Sequence, residues 1–179
     1  AFFTSLQGTH SDGYAPVIRC RRTAIKGTIE VTLCTWDRQG LFACIAGSLT
    51  CSNLNISHAD IFTRADHVVL DIFTVNDPDG RHVRNTLPLR NMSAFLEQAL
   101  DVQNPLDLAQ VIAETVTPPA QKISRRAKTE FEWCNRSERN ATRLTVSMPD
   151  RQGLLFYICR AFSQLGLNVH AADIRTIRG

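Results

Sequence analysis

Two identical pentads, Asp37-Arg38-Gln39-Gly40-Leu41 and Asp150-Arg151-Gln152-Gly153-Leu154, are the residues of this chain best suited to chemistry. Each follows a run rich in β-branched residues and precedes apolar residues at spacings of three and four, which places each Gly at a strand-to-helix turn. A Gly there lets a ligand approach the backbone, and a helix start offers free N–H groups with partial positive charge. That combination suits a carboxylate. Asn55 and Asn168 open the next strand of each copy and supply a donor and an acceptor for an amino or amide group. The candidate ligand-binding residues are therefore Asp37, Gly40, Leu41 and Asn55, with Asp150, Gly153, Leu154 and Asn168 in the second copy. The competing reading is architectural: Asp37 and Asp150 serve as N-cap or pre-cap acceptors, and the Gly only turns the chain.

Other chemistries fail on residue type or spacing. None of His10, His58, His67, His82 or His170 is followed by Asp, so the adjacent His-Asp pair of a metal-dependent hydrolase is missing. His58 and His170 do not share a place in the repeat. A nucleotidyltransferase needs Gly-Ser followed shortly by two carboxylates that hold metal. Gly47-Ser48 falls inside the first expected helix, and Asp77-Pro78-Asp79 lies far beyond it in a Pro-Gly turn. No Ser-His-Asp or Cys-His arrangement can be assembled. No catalytic residue, metal ligand or cofactor is expected in this chain.

The pentads belong to a longer repeat, offset by 113 positions from Asp37 to Asp150. At that offset Thr32 matches Thr145, Ile45 matches Ile158, Leu54-Asn55 matches Leu167-Asn168, Ala59-Asp60-Ile61 matches Ala172-Asp173-Ile174, and Thr63 matches Thr176. In the first copy the pattern predicts a strand over 29–35, a helix after Gly40, strands over 54–63 and 68–75, helices over 92–100 and 106–116, and a strand over 129–134. Asn76-Asp77-Pro78-Asp79-Gly80 is a strong turn signal. The order is βαββαβ, an α+β ferredoxin-like unit with an antiparallel sheet and helices on one face. The second copy shows a strand over 143–148, a helix and a strand over 167–177, and is expected to be truncated. The expected organisation is a connection over 1–27, a first domain over 28–135 with an extra helical insertion at about 104–128, and an incomplete second domain over 140–179.

Composition narrows the function classes. With 44% hydrophobic and 21% charged residues the chain can bury a core, and a net charge of +3 lacks the electrostatic footprint of a dedicated nucleic-acid binder. The basic clusters at Arg19 to Lys26 and Ser124 to Lys128 carry no interleaved aromatics and read as solvated connections. There is no apolar run of membrane-spanning length and no signal-peptide layout, so a cytoplasmic location is expected. The six cysteines form no Cys-x-x-Cys pair and are expected as buried reduced thiols. The four Asn-x-Ser/Thr sequons read as chance. A start at Ala1 and an end straight after an apolar run lead to the expectation of a piece of a longer protein.

Asp-Arg-Gln-Gly-Leu between strand and helix, followed by Leu-Asn-Ile or Leu-Asn-Val, resembles the ACT domain, a small amino-acid-binding module. The runs Cys34 to Phe42, Ile45 to Leu49, Ala59 to Arg64 and Val69 to Val75 are similar to the C-terminal tandem ACT region of bacterial bifunctional uridylyltransferase/uridylyl-removing enzymes. The resemblance covers about Thr28 to Gly179. It implies glutamine as the ligand, the PII signal protein as partner of the full-length enzyme, pairing of ACT units within or between chains, and magnesium only in catalytic domains absent here. It also implies that Gly40, Leu41, Gly153 and Leu154 face the ligand while Asn55 and Asn168 close on it. The family commonly has Pro where Gln39 and Gln152 stand, a residue that would fix the turn. A stand-alone ACT-repeat regulator, or an ACT pair on a different enzyme such as a deformylase or an alarmone synthetase, are the alternatives.

Overall fold

The structure, a computed structural model, describes residues 16–25, 27–76, 87–101, 103–115, 128–136 and 141–175. The expected turn at 77–80, and Thr176 of the repeat, lie outside them. Two compact units form, one from Ala1–Thr117 with Gln152–Gly179 and one from Pro118–Arg151.

The larger unit is an antiparallel five-stranded sheet carrying helices. Its elements are β1 (Val17–Arg22), β2 (Thr28–Trp36), α1 (Leu41–Cys51), β3 (Asn55–Thr63), β4 (Val68–Asn76), α2 (Leu87–Ala99), α3 (Leu108–Thr115), α4 (Leu154–Gln164) and β7 (Asp173–Arg175). Strands β5 (Glu130–Arg136) and β6 (Ala141–Ser147) form a hairpin in the smaller unit. The sheet order of the larger unit is β1-β2-β4-β3-β7.

Alternation along the central strands explains why they stay in register. Ile29, Val31 and Leu33 on β2, Ala59 and Ile61 on β3, and Val69, Phe73 and Val75 on β4 all face the helices and are buried. Leu41, Ile45 and Leu49 of α1 and Met92 and Leu96 of α2 complete that core. The opposite side of α1 is buried too, because Ala46 packs with Leu108 and Ile112 of α3 and Phe156 of α4. A Cβ on Gly47 would lie 2.7 Å from Leu108 Cδ1 and 2.8 Å from Phe156 Cδ2, so the absent side chain is what lets the three helices meet.

The strand expected at 129–134 as the last of the first sheet is placed otherwise. It is β5, hairpinned with β6, and the edge beside β2 is taken by β1, from the residues expected to be a connection. The repeat accounts for this. Val17 and Glu130 are 113 positions apart, and so are their partners, Cys34 on β2 and Ser147 on β6. Strand β5 is thus the counterpart of β1 and opens the second copy. The basic cluster from Arg19 is strand rather than connection, with Arg21 paired to Glu30 at 2.8 Å.

Among the described residues no helix is long and apolar enough to cross a membrane. Cys34 and Cys159 are buried thiols, Cys44 and Cys51 half-buried, and Cys20 and Cys134 exposed, so the burial expected of the cysteines holds for those on the packed elements.

Candidate functional site

Both pentads build the same turn. Gly40 and Gly153 each have φ 78 and stand at the N-cap of α1 and α4, in the left-handed region that L residues rarely adopt. Gly rather than Asp stands at the N-cap in both copies, so neither Asp37 nor Asp150 is the N-cap residue. The reason is spacing: the left-handed Gly follows Asp by three residues and itself turns the chain, with the Leu41 N–H donating to the Arg38 carbonyl at 3.1 Å. The backbone N–H of Asp37 donates to the His67 carbonyl instead, at 2.7 Å.

The helices also end alike. Asn53 and Gly166, counterparts in the repeat, both have positive φ, and the N–H groups of Leu54 and Leu167 reach back to the carbonyls of Leu49 and Phe162.

Within the larger unit, the second copy's α4 and β7 meet the first copy through a pseudo-two-fold relation. Strand β7 pairs antiparallel with β3 so that Asp60 opposes Asp173, its own repeat counterpart. Helix α1 packs on its counterpart α4. A Cβ on Gly40 would meet Ser163 Oγ at 2.9 Å, and one on Gly153 would meet Thr50 Cγ2 at 3.3 Å, where Thr50 and Ser163 are themselves counterparts. The Gln residues of the pentads cross the same way: Gln39 Nε2 donates to the Ser163 carbonyl at 3.3 Å, and Gln152 Nε2 to Asn53 Oδ1 at 3.0 Å. Each turn therefore abuts the far end of the other copy's helix.

This exchange creates a partly open cavity lined by Asp37, Arg38, Gly40 and Leu41 of the first turn, Asp71 of β4, and Phe162, Ser163 and Asn168 of the second copy. Of the eight candidates, Asp37, Gly40, Leu41 and Asn168 are brought together here. Gly153 lies instead against Thr50, Tyr157 and Ile112. Leu154 begins α4, Asn55 begins β3, and Asp150 belongs to the smaller unit. The Asn that lines the cavity with Gly40 is thus the other copy's Asn168, not Asn55 of the same copy. The cavity measures about 30 Å³, room for roughly two waters. A larger ligand requires its mouth to widen.

Two cavity residues carry displaced acidities. Burial pushes the Asp71 carboxyl up to about 7; the Phe62 backbone N–H it accepts works against this, and the Asp37 charge adds to it. Burial likewise pushes the Cys159 thiol up to about 12, which keeps it neutral. Asp71 was absent from the sequence candidates, although an acid inside the apolar run Val68 to Val75 was the signal that could have marked it. Among the described residues there is no group of three or more His, Cys, Asp or Glu placed to hold a metal.

The sheet, the helices and the paired turns define an α+β module of the ACT-like class. A family model described as the plant bHLH transcription factor ACT-like domain matches residues 138–179. Among curated proteins the chain is similar to bifunctional uridylyltransferase/uridylyl-removing enzymes. It is 28% identical to that of Vibrio cholerae serotype O1 over 94% of this chain and 18% of the relative. It is 28% identical to that of Aliivibrio fischeri strain MJ11 over 94% of this chain and 19% of the relative, and 32% identical to that of Azospirillum brasilense over 82% and 16%. The chain is thus related over nearly all its length to one segment of these enzymes, and spans less than a fifth of their length. No solved structure matches it.

Proposed function

We propose that this chain is an amino-acid-sensing regulatory region, with glutamine as its ligand, of an enzyme that uridylylates and de-uridylylates a PII signal protein in nitrogen regulation. The observation that carries the reading is the exchange between copies: the first turn and the second copy's Asn168 line one cavity. The carboxylate of the amino acid meets the Phe42 and Ala43 N–H groups in the first turn of α1, which have no intrahelical acceptor, and Asn168 reads its amide. By the pseudo-two-fold relation, Gly153, Leu154 and Asn55 are the counterparts that would serve a second such site. Occupancy biases which of two catalytic centres, lying outside these residues, is active. A ligand held by both copies stabilises the arrangement in which they pair, which is the differential affinity that regulation requires.

A stand-alone ACT-repeat regulator is the second reading, favoured by the match of residues 138–179 to an ACT-like domain named for transcription factors. The test is calorimetric titration of the full protein with L-glutamine. Saturable binding that is lost in Gly40→Val and in Asn168→Ala, with circular dichroism unchanged, is expected. Equal binding by the variants refutes the site, and uridylyl transfer unaffected by glutamine that binds favours the second reading.

A further inference from the structure

Asp71 occupies a position where a hydrocarbon is expected. On β4 it stands between Val69 and Phe73 in the buried row that faces the helices, and it is 1% exposed. Its carboxylate accepts the Phe62 N–H, while Oδ1 has no hydrogen-bond partner among the described residues. Filling such a site with an apolar side chain is often neutral or stabilising, whereas an unpartnered buried carboxylate oxygen is costly. The oxygen therefore calls for a partner from outside the chain.

The groups facing Asp71 indicate which partner. It lines the same cavity as Gly40 and Asn168. The turn before α1 contributes Asp37 and Arg38, and the Arg38 guanidinium is engaged with the Leu100 carbonyl at 3.0 Å. Helix α4 contributes the neutral Cys159 thiol together with Phe162 and Ser163. Strand β3 contributes Ile61 and Thr63, and the segment after α4 contributes Leu167, Asn168 and Val169. The charge acting on Asp71 is that of a second acid, Asp37. Two carboxyl groups lining a cavity whose other feature is a helix N-terminus are complementary to a zwitterion.

We propose that Asp71 is the specificity-determining residue of this site: with Asp37 beside it, it receives the ammonium of an α-amino acid whose carboxylate lies at the start of α1. This rests on the reading of the cavity as an amino-acid site. With the site empty, Asp71 holds a proton up to about pH 7, which relieves the cost of its burial. A bound ammonium favours the ionised form, so ligand binding at lower pH expels that proton to solvent.

The test is titration of the full protein with L-glutamine and with Nα-acetyl-L-glutamine, which lacks the ammonium, in buffers of different ionisation enthalpy at about pH 6 and about pH 8. Wild type is expected to release close to one proton per glutamine at the lower pH and little at the higher. Acetylation, and separately Asp71→Asn, are each expected to weaken binding by about tenfold or more, and the variant to abolish proton release. Equal affinity for the two ligands, or an Asp71→Asn variant that keeps both affinity and proton release, overturns the role of Asp71 and leaves the amino-acid site standing. Failure of wild type to bind any free amino acid overturns both. The two-ligand comparison needs no variant, so it decides the matter even if Asp71→Asn does not fold.

Discussion

The two copies of the repeat share their turns and differ in their burial. Both carry a Gly at φ 78 before an 11-residue helix, and both helices end in the same reversed turn. Yet Val31 of β2 is 0% exposed and its counterpart Leu144 of β6 is 40% exposed. Strand β2 lies between β1 and β4 with Val31 against the helices, whereas β6 pairs only with β5 among the described residues. The turn is local, written by five residues, and it forms wherever they occur. Burial is a tertiary property that depends on which elements cover the face.

The largest expected difference between the copies is therefore in core truncation. Leu33→Ala should cost about 2–5 kcal/mol in chemical denaturation, because Leu33 is fully buried. Leu144→Ala should change stability by no more than about 0.5 kcal/mol. Comparable losses at the two positions would mean that β6 is covered as β2 is.

Asp71→Asn should show a pH-dependent gain. The native carboxyl keeps its proton to about pH 7, while an unfolded Asp loses it near its ordinary value of about 4. The cost of burying it ionised is absent below about pH 4, grows as pH rises, and is complete above about pH 7. The variant should therefore be more stable than wild type by an order of a few kcal/mol at about pH 8, with the gain gone near pH 4, as thermal melts across that range would read. A gain independent of pH would dissociate it from ionisation. A gain of that kind would show that Asp71 is not there to stabilise the empty fold.

The smallest effects test the turns themselves. Gly40→Ala and Gly153→Ala both force an L residue to positive φ and should each cost about 1–2 kcal/mol in thermal melts. The first should cost slightly more, because its Cβ would meet Ser163 Oγ at 2.9 Å against 3.3 Å to Thr50 Cγ2 at Gly153. A neutral result at either position would show that its turn relaxes to another backbone conformation.

Much of the fold was legible because the repeat doubles every signal. Strands at 29–35, 54–63 and 68–75 appear as β2, β3 and β4, the last two joined by a turn in which His67 has positive φ. Strand β1 was not legible. Val17–Arg22 has a basic end and only weak alternation, and its partner is decided by the edge of β2 rather than by its own pattern. Of the expected strand at 167–177, Asp173–Arg175 pair with β3 among the described residues, and 176–177 lie outside them. The Gly residues of the turns could be read from residue type and spacing. Two features could not: the pairing of Gly40 with the distant Asn168, and the recruitment of Asp71. Both depend on where the pseudo-two-fold relation brings the copies together.

That relation is most directly tested by a double-mutant cycle on glutamine binding between Asp37→Ala, in the first copy, and Asn168→Ala, in the second. Because both residues line one cavity, a coupling of about 1 kcal/mol or more is expected, with the double variant losing less affinity than the two single losses combined. Losses that add to within about 0.5 kcal/mol would place the two residues at separate sites and contradict a ligand shared between the copies.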